Sequence, residues 1–94
     1  MISTWDAHGL TVRNSAGEII ISIGTYQLQA SPVIVIEHCW REPGISDNHL
    51  TESFSQALAK IKDENKLVLP LCPFAEEFMR SHPEYSMLLA KKAE

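Results

Sequence analysis

Ninety-four residues carry eight Lys/Arg against twelve Asp/Glu, with 45% hydrophobic residues and a formal net charge of −4. A chain of this length reads as one small soluble domain spanning 1–94, in which any site is built from elements that also make the core. The acidic balance and the scatter of Arg13, Arg41, Lys60, Lys62, Lys66, Arg80, Lys91 and Lys92 exclude a protein that grips phosphate backbones, and no apolar run reaches the ~18 residues of a membrane helix.

Met1 to Asp6 does not read as a signal peptide, so the expected compartment is the cytoplasm, with neither nucleic acid nor membrane as partner. In that compartment Cys39 and Cys72 are expected as free thiols. No C-x-x-C or H-x-x-x-H spacing links them to the four histidines, and no metal site is expected.

In chain order, Leu10 to Asn14 and Glu18 to Ile23 flank Ser15-Ala16-Gly17 and predict two strands joined by a hairpin turn. Gly24 to Ser31 reads as a polar connection. After Pro32, Val33-Ile34-Val35-Ile36 is a β-branched run suited to a strand buried on both faces. Arg41-Glu42-Pro43-Gly44 then interrupts regular structure.

Leu50, Phe54, Ala57, Leu58 and Ile61 mark one face of an amphipathic helix from about residue 48 to 65, with Asp47 or Asn48 as the expected N-cap. Lys66 to Leu69, closed by Pro70, predicts a second buried strand. The order strand, helix, strand makes a βαβ unit with parallel strands.

Pro73 suits the first position of a helix carrying Phe74, Ala75, Phe78 and Met79 inward. Ser81 and Glu84 are spaced as a capping box for a further turn holding Tyr85, Leu88 and Leu89. The expected class is α+β, a mixed sheet in the order β-β-β-α-β-α. Glu76-Glu77 and Lys91-Lys92 read as solvated faces, and Trp5 and Trp40 lie outside the helices, where either can join a binding surface.

Ligands of parallel sheets gather beyond the carboxyl ends of the strands, where helix N-termini offer N–H groups. His38, Cys39, Trp40 and Arg41 follow the first parallel strand; Leu71 and Cys72 follow the second. Cys72 stands at a helix N-terminus, a position whose dipole favours thiolate, although a small buried hydrophobe also fits there. His38 can serve as base or polarising group, or as a structural histidine. Arg41 can meet a phosphate or simply be solvated, and His8, His49 and His82 read as surface or capping residues.

The run L-V-L-P-L-C-P-F-A-E-E-F-M-R-S-H-P-E-Y, Leu67 to Tyr85, resembles the small single-domain GCN5-related N-acetyltransferase-like (GNAT-like) proteins. In these a buried strand runs into P-x-C-P-F-A or P-x-C-S-Y-V, and an aromatic helix ends in an H-P-E-Y-like turn. Ile36-Glu37-His38-Cys39 is similar to the family's strand ending in (D/E)-H-T, so the resemblance spans about Ile36 to Tyr85 and extends to the hairpin at 10 to 23. It implies a GNAT-like fold, acetyl-CoA as cofactor and acetyl transfer to an amine, either a small molecule or a protein lysine. It places Cys72 and His38 in the catalytic role.

The family's pyrophosphate loop, R-G-x-G, falls in gapless register on Ser46-Asp47-Asn48-His49, which has neither arginine nor glycine. These four residues and Arg41 are the candidate cofactor-binding set. Asp47 sets a carboxylate where a diphosphate rests in the family. Two functions therefore compete: an N-acetyltransferase with an altered loop, and a non-catalytic module that keeps the scaffold, has lost acetyl-CoA and binds another protein or a second copy of itself. A thiol-redox role for Cys72 needs a resolving cysteine, for which Cys39 is the sole candidate.

Overall fold

The computed structural model describes residues 1–90, and Lys91 and Lys92 lie outside them. Five strands form one sheet: β1 (Ile2–Asp6), β2 (Gly9–Arg13), β3 (Ile19–Gln27), β4 (Val33–Arg41) and β5 (Leu67–Pro70). Two α-helices, α1 (Asp47–Asp63) and α2 (Pro73–Ser81), and a 3-10 helix at Pro83–Leu88 complete the order. The strands lie side by side as β1-β2-β3-β4-β5, antiparallel except for the parallel pair β4 and β5. The mixed sheet and the β4-α1-β5 unit are those expected from the sequence. Among the described residues no helix is long and apolar enough to cross a membrane.

The chain adds β1, which the pattern of Ile2 to Asp6 conceals because the strand is an edge and largely exposed. β3 runs on through Gly24 to Gln27, where a polar connection was expected, and β4 continues past Ile36 to Arg41. In both cases cross-strand pairing carries polar residues that local composition assigns to loops. At α1 the cap is Ser46, not Asp47 or Asn48: its Oγ accepts the His49 N–H at 3.2 Å. The Ser81–Glu84 capping box does not form. Ser81 closes α2 and its hydroxyl donates to Glu77 at 3.2 Å, while the following turn is a 3-10 helix without a side-chain cap.

Both helices pack on one face of the sheet. Phe54 of α1 and Phe78 of α2 stand 4.6 Å apart between ring centroids, and Leu50, Phe54, Ala57, Leu58 and Ile61 are all buried as the helical spacing predicts. They meet Leu10, Val12, Ile21, Ile23, Ile34, Ile36 and Val68 from the sheet.

Side chains on a strand alternate between faces, so an extra residue in one strand of a pair reverses everything after it. Between β3 and β4, Thr25 pairs with Ile36 but Gly24 pairs with His38, leaving Glu37 as the extra residue. Before the bulge, Ile34 and Ile36 face the helices. After it Cys39, in register with Ile23, takes that face, and His38 and Trp40 turn to the reverse face of the sheet, where Tyr26 and Val35 also lie. Gly24 makes room for this: its missing Cβ would stand 2.0 Å from the His38 ring.

At the opposite end of the sheet, Trp5 of β1 donates its indole N–H to Glu64 at 2.7 Å, and Lys66 reaches the same carboxylate at 3.1 Å. The Trp5 hydrogen bond, and then Lys66, hold the Glu64 carboxyl below its ordinary value of 4.5. This contact ties the edge strand to the end of α1, 59 residues away.

Two outcomes follow from this arrangement. Gly9, at φ +119° where β2 begins, has the Ile23 carbonyl oxygen 2.0 Å from where a Cβ would stand, so Gly9→Ala is expected to cost about 2 kcal/mol, read from the urea midpoint at unchanged slope. Because the folded Glu64 titrates below the unfolded one, its contribution is complete above pH 4.5 and is lost as pH falls through the folded value. Denaturation of Glu64→Gln and the natural chain should therefore differ at neutral pH and converge in acid.

Candidate functional site

β4 and β5 stay paired only from Val33 and Leu67 to Ile36 and Pro70. The last link between them is the Leu71 N–H on the Ile36 carbonyl, at 2.9 Å. Beyond it β4 follows β3, while the chain after β5 turns through Leu71 and Cys72 into α2. The parallel strands thus part, and the N-termini of α1 and α2 both stand at their carboxyl ends. This is the site that topology predicts.

Cys72 is the N-cap of α2 and is only 7% exposed. Its Sγ accepts the Ala75 N–H at 3.3 Å, and Pro73, which has no N–H to satisfy, occupies the first helical position. Behind it, Phe54, Phe74 and Phe78 form an aromatic cluster with centroids 4.6 to 6.2 Å apart, which fixes the start of α2 against α1. The cysteine is both a small buried side chain and a capping acceptor.

The neighbour of Cys72 is Cys39. The two Sγ atoms are 3.0 Å apart and both thiols are free. Burial, and then the adjacent Cys72 sulfur, push the Cys39 thiol well above its ordinary range, so it stays protonated. His38 lies across the strand on the reverse face, half exposed, its ring over Gly24 and its Nδ1 3.8 Å from Glu37. The structure brings Cys39, and not His38, onto the Cys72 sulfur. The sequence puts Cys39 at the same sheet end as Cys72 and makes it the sole resolving candidate; the Glu37 bulge is what turns its side chain onto the Cys72 face.

At the other helix, the Arg41 guanidinium pairs with the Asp47 carboxylate. Arg41 reaches it because, after the bulge, it lies on the helix-bearing face beside Ile21. Ser46 accepts the His49 N–H on its side chain and the Leu50 N–H on its carbonyl. The N–H groups of Asp47 and Asn48 have no acceptor among the described residues, as first-turn amides usually do not. His49 itself lies in a recess beside Ser3, Val12 and Gln56. Arg41, Ser46, Asp47, Asn48 and His49 are therefore contiguous in space at one helix end.

Of the remaining histidines, His82 stacks on Phe78 at 4.0 Å and lies 2.9 Å through Nδ1 from the Phe78 carbonyl, closing α2. Trp40 is 44% exposed on the reverse face, whereas Trp5 is half-buried and borders a cleft of about 340 Å³ with Tyr26, Ile34, Glu64 and Lys66. That cleft lies at the amino ends of β4 and β5, away from Cys72. Among the described residues, no group of three His, Cys, Asp or Glu side chains is placed to hold a metal ion.

No curated protein matches the chain in sequence. A family model described as GCN5-related N-acetyl-transferase matches residues 11–88, from β2 through the 3-10 helix. The match takes in the parting strands, both helix N-termini and Cys72, and the chain belongs to the GCN5-related N-acetyltransferase family.

Proposed function

We infer that this domain is an acetyl-CoA-dependent N-acetyltransferase that passes acetyl to an amine, a small molecule or a protein lysine. The observation that carries this reading is the position of Cys72: a capping sulfur at the parting of β4 and β5, within a chain whose family is that of N-acetyltransferases.

The donor set fits the cofactor. The Asp47 and Asn48 N–H groups and the Arg41 guanidinium offer positive charge to a pyrophosphate at the start of α1. The Asp47 carboxylate holds Arg41 at that helix end, and a bound pyrophosphate competes with it for the guanidinium. Acetyl-CoA, when bound, supplies an activated acetyl thioester. Cys72 Sγ is the chain's nucleophilic or orienting atom at the reacting end, and the Ala75 N–H holds it in place. His38 is half exposed on the face opposite Cys72, so it serves as proton acceptor on this reading only for an amine that reaches the thioester through the gap between β4 and β5 from that side.

A second reading rests on Asp47 itself. No glycine lets the loop backbone close on a diphosphate, and Arg41 is committed to a carboxylate within the chain. On this reading the scaffold is a binding module, and the reverse face with exposed Tyr26 and Trp40 is the surface it uses toward another protein or a second copy.

Titration with acetyl-CoA separates the two. The enzyme reading expects amide shift changes at Asn48 to Leu50, tightened about 3- to 10-fold by Asp47→Asn as one opposing charge is removed. Cys72→Ser should lower acetyl transfer by about a hundredfold with cofactor affinity unchanged. No shift at millimolar acetyl-CoA overturns the enzyme reading, and affinity that appears only after Asp47→Gly with His49→Gly establishes the binding module.

A further inference from the structure

Nothing in the acetyl-transfer reading uses Cys39, yet its sulfur lies 3.0 Å from that of Cys72. The residues are 33 positions apart and come from separate elements, the end of β4 and the cap of α2. Each is held by regular structure: Cys39 by pairing with Ile23, Cys72 by the Ala75 N–H. The sulfurs need close only about 1 Å to reach a disulfide bond length of ~2.05 Å. Cys39 is only partly buried, and Cys72 is 7% exposed beside the exposed Leu71, so the pair lies just under the surface.

We propose that Cys39 and Cys72 are a disulfide-forming pair, a modification site whose substrate is hydrogen peroxide and whose product is a cross-link from β4 to the start of α2. Cys72 Sγ attacks a peroxide oxygen. An S–O bond forms, the O–O bond breaks, and the departing hydroxide leaves as water with the thiol proton. Cys39 Sγ then attacks the sulfenic sulfur of Cys72: the S–S bond forms, the S–O bond breaks, and the second hydroxide leaves as water with the Cys39 proton. The two sulfurs lose two electrons and the peroxide gains them. Burial, which keeps Cys39 protonated, disfavours it for the first attack; in the second its proton leaves with the displaced hydroxide.

The cross-link forms whether or not acetyl-CoA binds. Its consequence rests on the function inferred above: a sulfur bonded to Cys39 is no longer available at the reacting end of the site, so oxidation switches that site off and a small dithiol restores it.

The test is the intact mass of the full reduced chain after equimolar hydrogen peroxide at low micromolar protein. Loss of two hydrogens from a monomer, a proteolytic fragment joining the Cys39 and Cys72 peptides, and full return with dithiothreitol are expected. In Cys39→Ser the same treatment should add one oxygen to Cys72 in place of the loss of two hydrogens, and alkylation of Cys72, suppressed at least about tenfold in both oxidised chains, should recover with dithiothreitol in both. Oxygen addition to the natural chain with Cys39 left alkylatable, or a dimer linked between chains, overturns the proposal. Because the readout is mass and not turnover, failure to bind acetyl-CoA leaves this result intact.

Discussion

The single extra residue at Glu37 sets the orientation of everything that follows it in β4. A strand has two faces, and without a bulge Ile36, His38 and Trp40 would share the helix-bearing one. A tryptophan and a histidine would then be driven into a core already filled by Phe54, Ile23 and Val68. With the bulge, the same nine-residue strand is apolar toward the helices as far as Ile36, and then presents Cys39 and Arg41 to the helix N-termini. Bulges also bend and twist the strand that carries them. Here the bulge falls one residue beyond the last β4–β5 pair, where the two parallel strands separate. Re-aimed side chains and parted strands thus begin at the same place.

The separation has a cost that the surrounding residues meet. Past Ile36, β4 loses β5 as a partner, but β3 continues to pair with it to Arg41, so its backbone is not left unsatisfied on both sides. On the other side of the gap, Leu71 gives its N–H to Ile36, and Cys72 turns the chain into α2 by accepting the Ala75 N–H. The aromatic cluster of Phe54, Phe74 and Phe78 then locks that helix against α1. With Phe54 fully buried, its truncation to Ala falls in the range of about 3–5 kcal/mol for core aromatics, a large share of a small domain's stability. The candidate site therefore rests directly on the aromatic part of the core.

The legible part of this architecture was the part with strong periodicity. The helical spacing of Leu50 to Ile61, the β-branched run at Val33 and the Pro73 helix start each express a local rule, and the parallel β4-α1-β5 unit follows from their order. β1 was not legible because an exposed edge strand has little hydrophobic alternation to show. The continuations of β3 and β4 were hidden because Gly24, Glu37 and His38 owe their extended state to each other across the sheet and not to their neighbours in the chain. Ser46 displaced Asp47 as the cap because a hydroxyl one residue earlier reaches His49, leaving the Asp47 carboxylate to Arg41. The site was legible to the extent that it sits at helix N-termini. Cys72 was placed correctly as a cap and Cys39 was named as its only possible partner, but which face Cys39 takes depends on the bulge, which no local pattern shows.

The scarcity of basic residues takes on a different meaning beside the Arg41–Asp47 pair. A bare carboxylate on the first turn of α1 would gain from the helix dipole and repel a phosphate, and a free arginine there would attract one. Paired, the two present a near-neutral surface to solvent, with the carboxylate largely exposed. An exposed pair of this kind is worth on the order of 0–1 kcal/mol, less than a phosphate gains from a charge-assisted hydrogen bond to arginine. A phosphate arriving at the Asp47 and Asn48 N–H groups therefore competes for Arg41 against a weak internal rival. On the acetyl-CoA reading, the acidic residue would lower affinity by a charge that can be displaced and would not block the site by occupying it. In a chain of net charge −4, that distinction separates a weak cofactor loop from a lost one.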